Sequence, residues 1–154
     1  PFYDLAKVAV TFTSTEAFWK ATTDTVVEFA LPNNGTYTLA EFAASDAPVD
    51  DLVIEFGPGD GPDLYDTRPG GLCLGYDAVI GPGQSLIVDC GRKKLTGTGG
   101  LVPDRTKLRT HPQDGRWFAI DPVPGGAATV LLTHGGGSTP MPVTIAGRQA
   151  WMFG

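Results

Sequence analysis

Thr25-Val26-Val27-Glu28-Phe29-Ala30-Leu31, followed at once by Pro32-Asn33-Asn34-Gly35, is the stretch that decides the fold. Val27, Phe29 and Leu31 alternate with Val26, Glu28 and Ala30. This period of two, in residues that are mostly β-branched or aromatic, marks a half-buried strand. Pro and Gly on either side of two asparagines cannot continue a ladder and form a tight turn. The same unit, a short apolar run closed by turn residues, recurs along the chain, and a chain built that way is an all-β protein.

Working outward, Lys7–Phe12 carries Val8, Val10 and Phe12 on one face and predicts a strand near a sheet edge. Thr13 and Glu16 have capping-box spacing, which predicts one or two helical turns through Ala17, Phe18 and Ala21, ending before Asp24. Thr38 and Glu41 repeat the spacing, with Leu39, Phe42 and Ala43 at helical intervals, for a second short surface helix. Leu52–Phe56 is a strand closed by Gly57–Pro62, an exposed loop. Leu72–Tyr76 and Ser85–Cys90 flank the turn-forming stretch 77–84 and read as a hairpin, with Leu86, Val88 and Cys90 on one face. Arg92–Thr96 extends the pairing, and Gly97 to Gln113 reads as a long loop. Arg116–Ile120, Thr129–Thr133, and Val143–Ile145 with Gln149–Phe153, the last two as a strand pair or one bulged strand, complete eight to ten strands. Many short strands without a βαβ rhythm predict an antiparallel β-sandwich, jelly-roll or galectin-like, with one or two short helices. Residues 1–24 supply a lead-in strand and helix, and 25–154 the sandwich core of one domain. The opening on Pro1 suggests a fragment of a longer protein.

Composition narrows the function. Among 154 residues, 21 Gly and 13 Pro punctuate apolar segments without forming a repeat, so the chain reads as turn-rich and globular. A net charge of -6, with only 11 scattered Lys and Arg, disfavours nucleic acid, whose affinity comes from clustered cations releasing counterions. No apolar run approaches the ~20 residues of a membrane span. Cys73 and Cys90 sit in apolar segments and read as buried thiols, with a single disulfide as the alternative.

Candidate chemistry is sparse. His134 with Ser138 and His111 with Asp114 are the only sets that offer a base beside a nucleophile or an orienting group. Closeness in sequence does not make a triad, so no catalytic residue is assigned and the chain is read as a non-enzyme. Asp60, Asp63 and Asp66 recur every third residue in a Gly/Pro-rich stretch, and such oxygen donors suit Ca²⁺. Their spacing is not that of an EF-hand loop, and a solvated turn is the simpler reading. No metal or cofactor is assigned. Aromatic rings offer the one binding chemistry, since a flat apolar face with a polar edge suits sugars and protein partners alike. Tyr65, placed in a loop, leads the ligand-binding candidates, with Tyr37 and Trp19 behind it. Trp117 and Trp151 read as packing residues. Residues 57–71 and 97–116 are the expected contact loops.

The order of several signals resembles the C-terminal galectin-like β-sandwich of siphophage distal-tail and minor tail proteins. The matching pieces are Val26-Val27-Glu28-Phe29 leading to Asn33-Asn34-Gly35-Thr36, and Val53-Ile54-Glu55-Phe56-Gly57-Pro58. They continue with Gly81-Pro82-Gly83-Gln84-Ser85-Leu86-Ile87-Val88-Asp89 with Arg92, then Trp117-Phe118 before Asp121-Pro122, and the closing Arg148-Gln149-Ala150-Trp151. The resemblance covers most of the chain. It implies a structural module of the virion tail tip whose partners are other phage tail proteins, in a setting where rings place several copies around an axis. Carbohydrate binding for host-cell adsorption is the alternative it leaves, and it carries over no catalytic residue.

Overall fold

The computed structural model describes residues 18–111 and 115–152. The strand expected at Lys7–Phe12, the capping-box pair Thr13 and Glu16, Asp114 and Phe153 lie outside the described residues. Among those described, fourteen strands occur. The first seven are β1 (Phe18–Lys20), β2 (Thr25–Leu31), β3 (Gly35–Thr38), β4 (Val53–Phe56), β5 (Gly59–Asp60), β6 (Asp63–Asp66) and β7 (Cys73–Tyr76). Then come β8 (Val79–Ile80), β9 (Ser85–Asp89), β10 (Lys94–Thr98), β11 (Leu108–Arg109), β12 (Thr129–Thr133), β13 (Met141–Gly147) and β14 (Ala150–Met152).

Ten of these strands build two five-stranded antiparallel sheets, ordered β10-β9-β4-β13-β2 and β11-β7-β6-β12-β3, which pack as a sandwich around one core. Period-two patterning produces that core directly. Across the first sheet Leu95, Val88, Ile54, Ile145 and Val27 stand opposite one another, one from each strand. Leu86, Phe56, Val143 and Phe29 form the next row. The facing sheet contributes Leu74, Leu64 and Leu132 in register, with Tyr76 and Val130 beside them. Each such side chain contributes roughly 1.5–3 kcal/mol by leaving water.

The chain passes repeatedly from one sheet to the other. The turn at Pro32–Gly35, with Asn34 in the left-handed region at φ 62°, carries β2 of the first sheet into β3 of the second. The hairpin expected from Leu72–Tyr76 and Ser85–Cys90 is absent, because β7 lies in the second sheet and β9 in the first. Residues 77–84 are a crossover, and their β8 pairs with β5, which lies in the β4-to-β6 crossover. Ile80 is buried and Val79 exposed, so even this two-residue strand keeps the alternation that holds it on the core. The Gly57–Pro62 stretch thus contains β5 and is not simply an exposed loop. β9 and β10 do form the predicted extension, and Leu86, Val88 and Cys90 are all buried.

Other expectations are corrected by pairing. Phe18–Lys20, expected in a helix, is strand β1. It pairs with β14, so the β2–β13 ladder continues past a bulge of four residues, 21–24, against two, Arg148 and Gln149. β13 and β14 are therefore successive parts of one bulged strand, the second of the two expectations for this stretch, and not a strand pair. Arg116–Ile120 alternates as predicted, with Phe118 and Ile120 buried, but Ile120 makes only an isolated bridge to Val49. The second predicted helix is one 3-10 turn, Ala40–Phe42, which buries Leu39 and Phe42. Its capping box does not form, since Thr38 bonds Thr129 at 3.2 Å and Glu41 accepts from the Tyr37 hydroxyl at 3.4 Å. The 97–113 stretch holds the end of β10, a 3-10 turn at Arg105–Lys107 capped by Asp104, and β11.

Ile54 lies fully buried between Val88 and Ile145 at the centre of the first sheet. Ile54→Ala is expected to lower unfolding free energy by about 2–5 kcal/mol with an unchanged urea m-value; a loss below about 1 kcal/mol would mean that the site collapses around the smaller side chain.

Candidate functional site

The structure scatters the sequence-selected residues. Tyr65 lies on β6, not in a loop, on the outer face of the second sheet between Cys73 and Leu131. Tyr37 faces inward at the sandwich edge, its ring stacked on Phe29 with centroids 4.5 Å apart and planes 12° apart, which occupies one ring face with packing. Trp19 sits on β1 opposite Trp151 and is 63% exposed. Trp151 is half-buried and donates its indole N–H to the Ala44 carbonyl at 2.9 Å. Cys73 and Cys90 are both free thiols, the first on β7 in the second sheet and the other just past the end of β9 in the first. Burial pushes the Cys90 thiol up to about 12, with Asp89 adding to it and a backbone hydrogen bond from Phe118 opposing, so it is an inert packing residue.

The three aspartates do not converge. A strand sends residues three apart to opposite faces, so Asp63 lies on the outer face while Asp66 points coreward. Asp66 is held there by Arg68, whose backbone N–H and Nε donate to Oδ1 at 3.0 and 2.9 Å and whose terminal nitrogen binds Oδ2. Asp63 instead reaches Arg109 at 2.7 Å across the intervening strand. That crossing needs Gly75, which stands opposite both residues in the ladder, and any Cβ there would lie 1.7 Å from Asp63 Oδ1. Burial raises the Asp63 pKa, against the opposing pull of Arg109 and a hydrogen bond with Tyr65. Asp60 is exposed on β5. Among the described residues, no three His, Cys, Asp or Glu side chains gather as metal ligands.

His134 is buried and fully used. Its Nδ1 accepts from the Gly136 N–H at 3.0 Å, so Nε2 carries the proton and donates to the Leu31 carbonyl at 3.1 Å. Its own backbone N–H donates to Asn33 at 3.0 Å. The ring clasps loop 134–137 to the β2–β3 turn and has no lone pair left with which to activate Ser138. His111 is also buried.

What the fold does assemble is a groove of about 830 Å³ at one end of the sandwich. The start of β4 gives Asp50, Asp51 and Val53. The end of β9 and its turn give Asp89, Cys90, Gly91, Arg92 and Lys93. Arg148 comes from the bulge beyond β13, with Lys20 and Asp24 from the opposing strand. Residues 117–119 close the wall: Phe118 points into the core while Trp117 and Ala119 remain half-exposed. Trp117 carries the Arg105 guanidinium 5.6 Å from its ring centroid, and Arg105 is anchored in turn on the Lys93 carbonyl at 3.2 Å. The turn is tied by Asp89, which accepts from the Arg92 N–H at 2.8 Å, and Lys93 occupies the left-handed region at φ 55°.

Most of the groove's charges are paired. Lys20 Nζ lies 2.8 Å from Asp50 and 3.5 Å from Asp51, and Arg148 Nε donates to Asp51 at 2.7 Å. Burial pushes the Asp51 carboxyl upward, but side-chain and backbone hydrogen bonds from Arg148, with the Lys20 charge, hold it below the ordinary carboxylate value. Trp117, read as a packing residue, does pack against the core on its buried side; sequence reading missed the groove it also lines, whose charged residues come from segments far apart in the chain. The only local signal was the alternation that sets Trp117 opposite to Phe118 and Ile120. No protein-family model matches the sequence, and no curated protein matches it.

Two outcomes follow from the paired charges. Because the folded pKa of Asp51 is depressed, its stabilisation is present above the unfolded carboxylate value and fades as pH falls through the folded one. Asp51→Asn is expected to cost about 1–2 kcal/mol at pH 7, and the gap to wild type in urea melts should shrink steadily as the pH is taken below about 4. A gap that stays constant with pH would assign the loss to packing. Gly75→Ala should cost about 1–3 kcal/mol by displacing Asp63 from Arg109, and in an Asp63→Ala background the same change should cost much less.

Proposed function

We propose that this chain is a non-catalytic structural and interaction module of a bacteriophage tail tip, a minor-tail or distal-tail-like protein located in the virion and held by other tail proteins. The observation that carries the interaction role is the ribbon formed by β1 and β14. It extends the β2–β13 ladder beyond the sandwich and exposes Trp19 at 63% and Met152 at 57%, with Val26 exposed at 55% on the adjoining β2. The register sets Trp19 and Met152 on opposite faces of the ribbon, so it presents an exposed apolar side chain to either side, and such side chains anchor protein interfaces. The non-catalytic role is supported by the chemistry used up in packing: His134 has both ring nitrogens bonded, and Asp51, Asp63 and Asp66 are each held by arginine. The family resemblance supports the tail setting, its pieces covering β2 and its turn, β4, β9 with the turn before it, and the groove wall.

Mass spectrometry of gradient-purified phage particles, with antibody labelling viewed by electron microscopy, tests this reading. The chain is expected at the tail tip in fixed stoichiometry, and its absence from particles would overturn the proposal. A Trp19→Ser/Met152→Ser double variant should keep its thermal midpoint while its incorporation into particles falls by roughly tenfold.

A further inference from the structure

We propose that the outer edge of β2 docks an extended segment of a partner protein, which adds to the first sheet as a further antiparallel strand and carries a lysine or arginine opposite Glu28. The inference deepens the interaction role proposed above and rests on it for the source of the partner; the edge itself is read from backbone geometry. β2 lies at the end of its sheet and pairs with β13 alone. The Gly57 N–H donates to the Pro142 carbonyl at 2.9 Å. Residues 142, 144 and 146 of β13 therefore turn their backbone groups toward β4, and 141, 143, 145 and 147 turn theirs toward β2. Opposite that second set stand Thr25, Val27, Phe29 and Leu31, which are thereby engaged. Val26, Glu28 and Ala30 point their N–H and C=O groups away from the sheet, and among the described residues nothing bonds them. Their side chains are exposed as well.

The other edges of the two large sheets are short or occupied. β11 has two residues and β3 four. Along β10, Arg105 donates to the Lys93 carbonyl at 3.2 Å, and the chain folds back so closely that a Cβ on Gly97 would lie 2.0 Å from the Leu101 carbonyl oxygen. β2 runs for seven residues without a proline, its bulge lies outside it at 21–24, and Glu28 is its single charge. An open edge of that length is a template for another strand.

The two faces of β2 define the occupant. Inward, the added side chains would stand beside Val27 and Phe29, and Phe29 stacks on Tyr37 of the second sheet, so apolar residues there extend the core. Outward, the edge presents Glu28, with the exposed Asp24 in the bulge, and a cation opposite Glu28 makes the complementary cross-strand pair. A second copy of β2 fits less well. Aligned so that all three outward residues bond, it would set Glu28 against Glu28, and like charges directly opposite are destabilising.

The test titrates the isotope-labelled whole chain, followed by NMR, with a capped synthetic peptide that alternates valine and threonine and has lysine in place of its central threonine. The amide resonances of Val26, Glu28 and Ala30 are expected to shift, and on saturation those amides should exchange with solvent roughly tenfold more slowly. Val26→Pro removes one outward N–H without touching the β13 ladder, and should weaken binding roughly tenfold at an unchanged thermal midpoint. Glu28→Lys should transfer the preference to the same peptide with glutamate at its centre, and it carries the test should Val26→Pro fail to fold. Any of five results would overturn the inference: no shift at millimolar peptide, equal binding of a peptide N-methylated on its edge-facing amides, equal binding of the lysine and glutamate peptides, slow exchange of the three amides before peptide is added, or pairing of β2 with a second copy in the free chain. Peptide binding by a chain that phage particles lack would be a failure of the tail-tip reading alone. Presence in particles without peptide binding would be a failure of the edge alone.

Discussion

The pairing of Ile54 with Ile145 on adjacent central strands is the constraint on which the rest of the structure depends. It sets the register of β4 against β13, and a one-residue slip would turn every inward side chain of the slipped strand to solvent. With that register in place, Val27, Val88 and Leu95 fall into the same row and Phe29, Val143, Phe56 and Leu86 into the next. The second sheet then has one apolar surface to cover. Sandwich geometry, crossovers and groove all follow from two strands that can pair in only one way while staying buried.

The repeated passage between sheets explains how the polar residues are used. A crossover leaves its backbone away from both ladders, and several here are tied by a specific contact: β5 and β8 pair with each other, and His134 clasps its loop to the β2–β3 turn. Within the second sheet, Arg68 binds Asp66 where the chain turns from β6 back into β7. Three of the aspartates are fasteners: Asp51, Asp63 and Asp66 each meet an arginine. Breaking one partner of such a pair costs more than never having had it, since the other is left charged and half-desolvated.

Strand content was legible because period-two alternation is local. Val27, Phe29 and Leu31, or Leu86, Val88 and Cys90, announce their buried face within one segment. Pairing was not legible, because stretch 77–84 has the composition of a hairpin turn, and only a partner distant in sequence, Gly59–Asp60, makes it a crossover. Asp63–Asp66 escaped for the opposite reason. Two aspartates in four residues argue against a strand by propensity, and the burial of Leu64 with the arginine partners of both carboxylates overrides it. Capping-box spacing misled at Thr38, since a single 3-10 turn is too short to need the reciprocal bonds and its side chains were taken by neighbours.

The groove illustrates why a site in such a fold is harder to read than its core. β4 begins, β9 turns into β10, and β13 bulges before β14, all at one end of the first sheet, so each contributes only a few residues next to its terminus. Asp51, Asp89, Arg148 and Trp117 are consequently neighbours in space with nothing in sequence to connect them. Strand interiors must satisfy the core on one face. Strand ends are released from that demand but still held by the ladder, and they combine chemical freedom with rigid placement. The segment 117–120 shows both conditions at once. Phe118 and Ile120 are spent on the core, and that anchoring is what positions Trp117, between them and solvent, as a fixed aromatic wall.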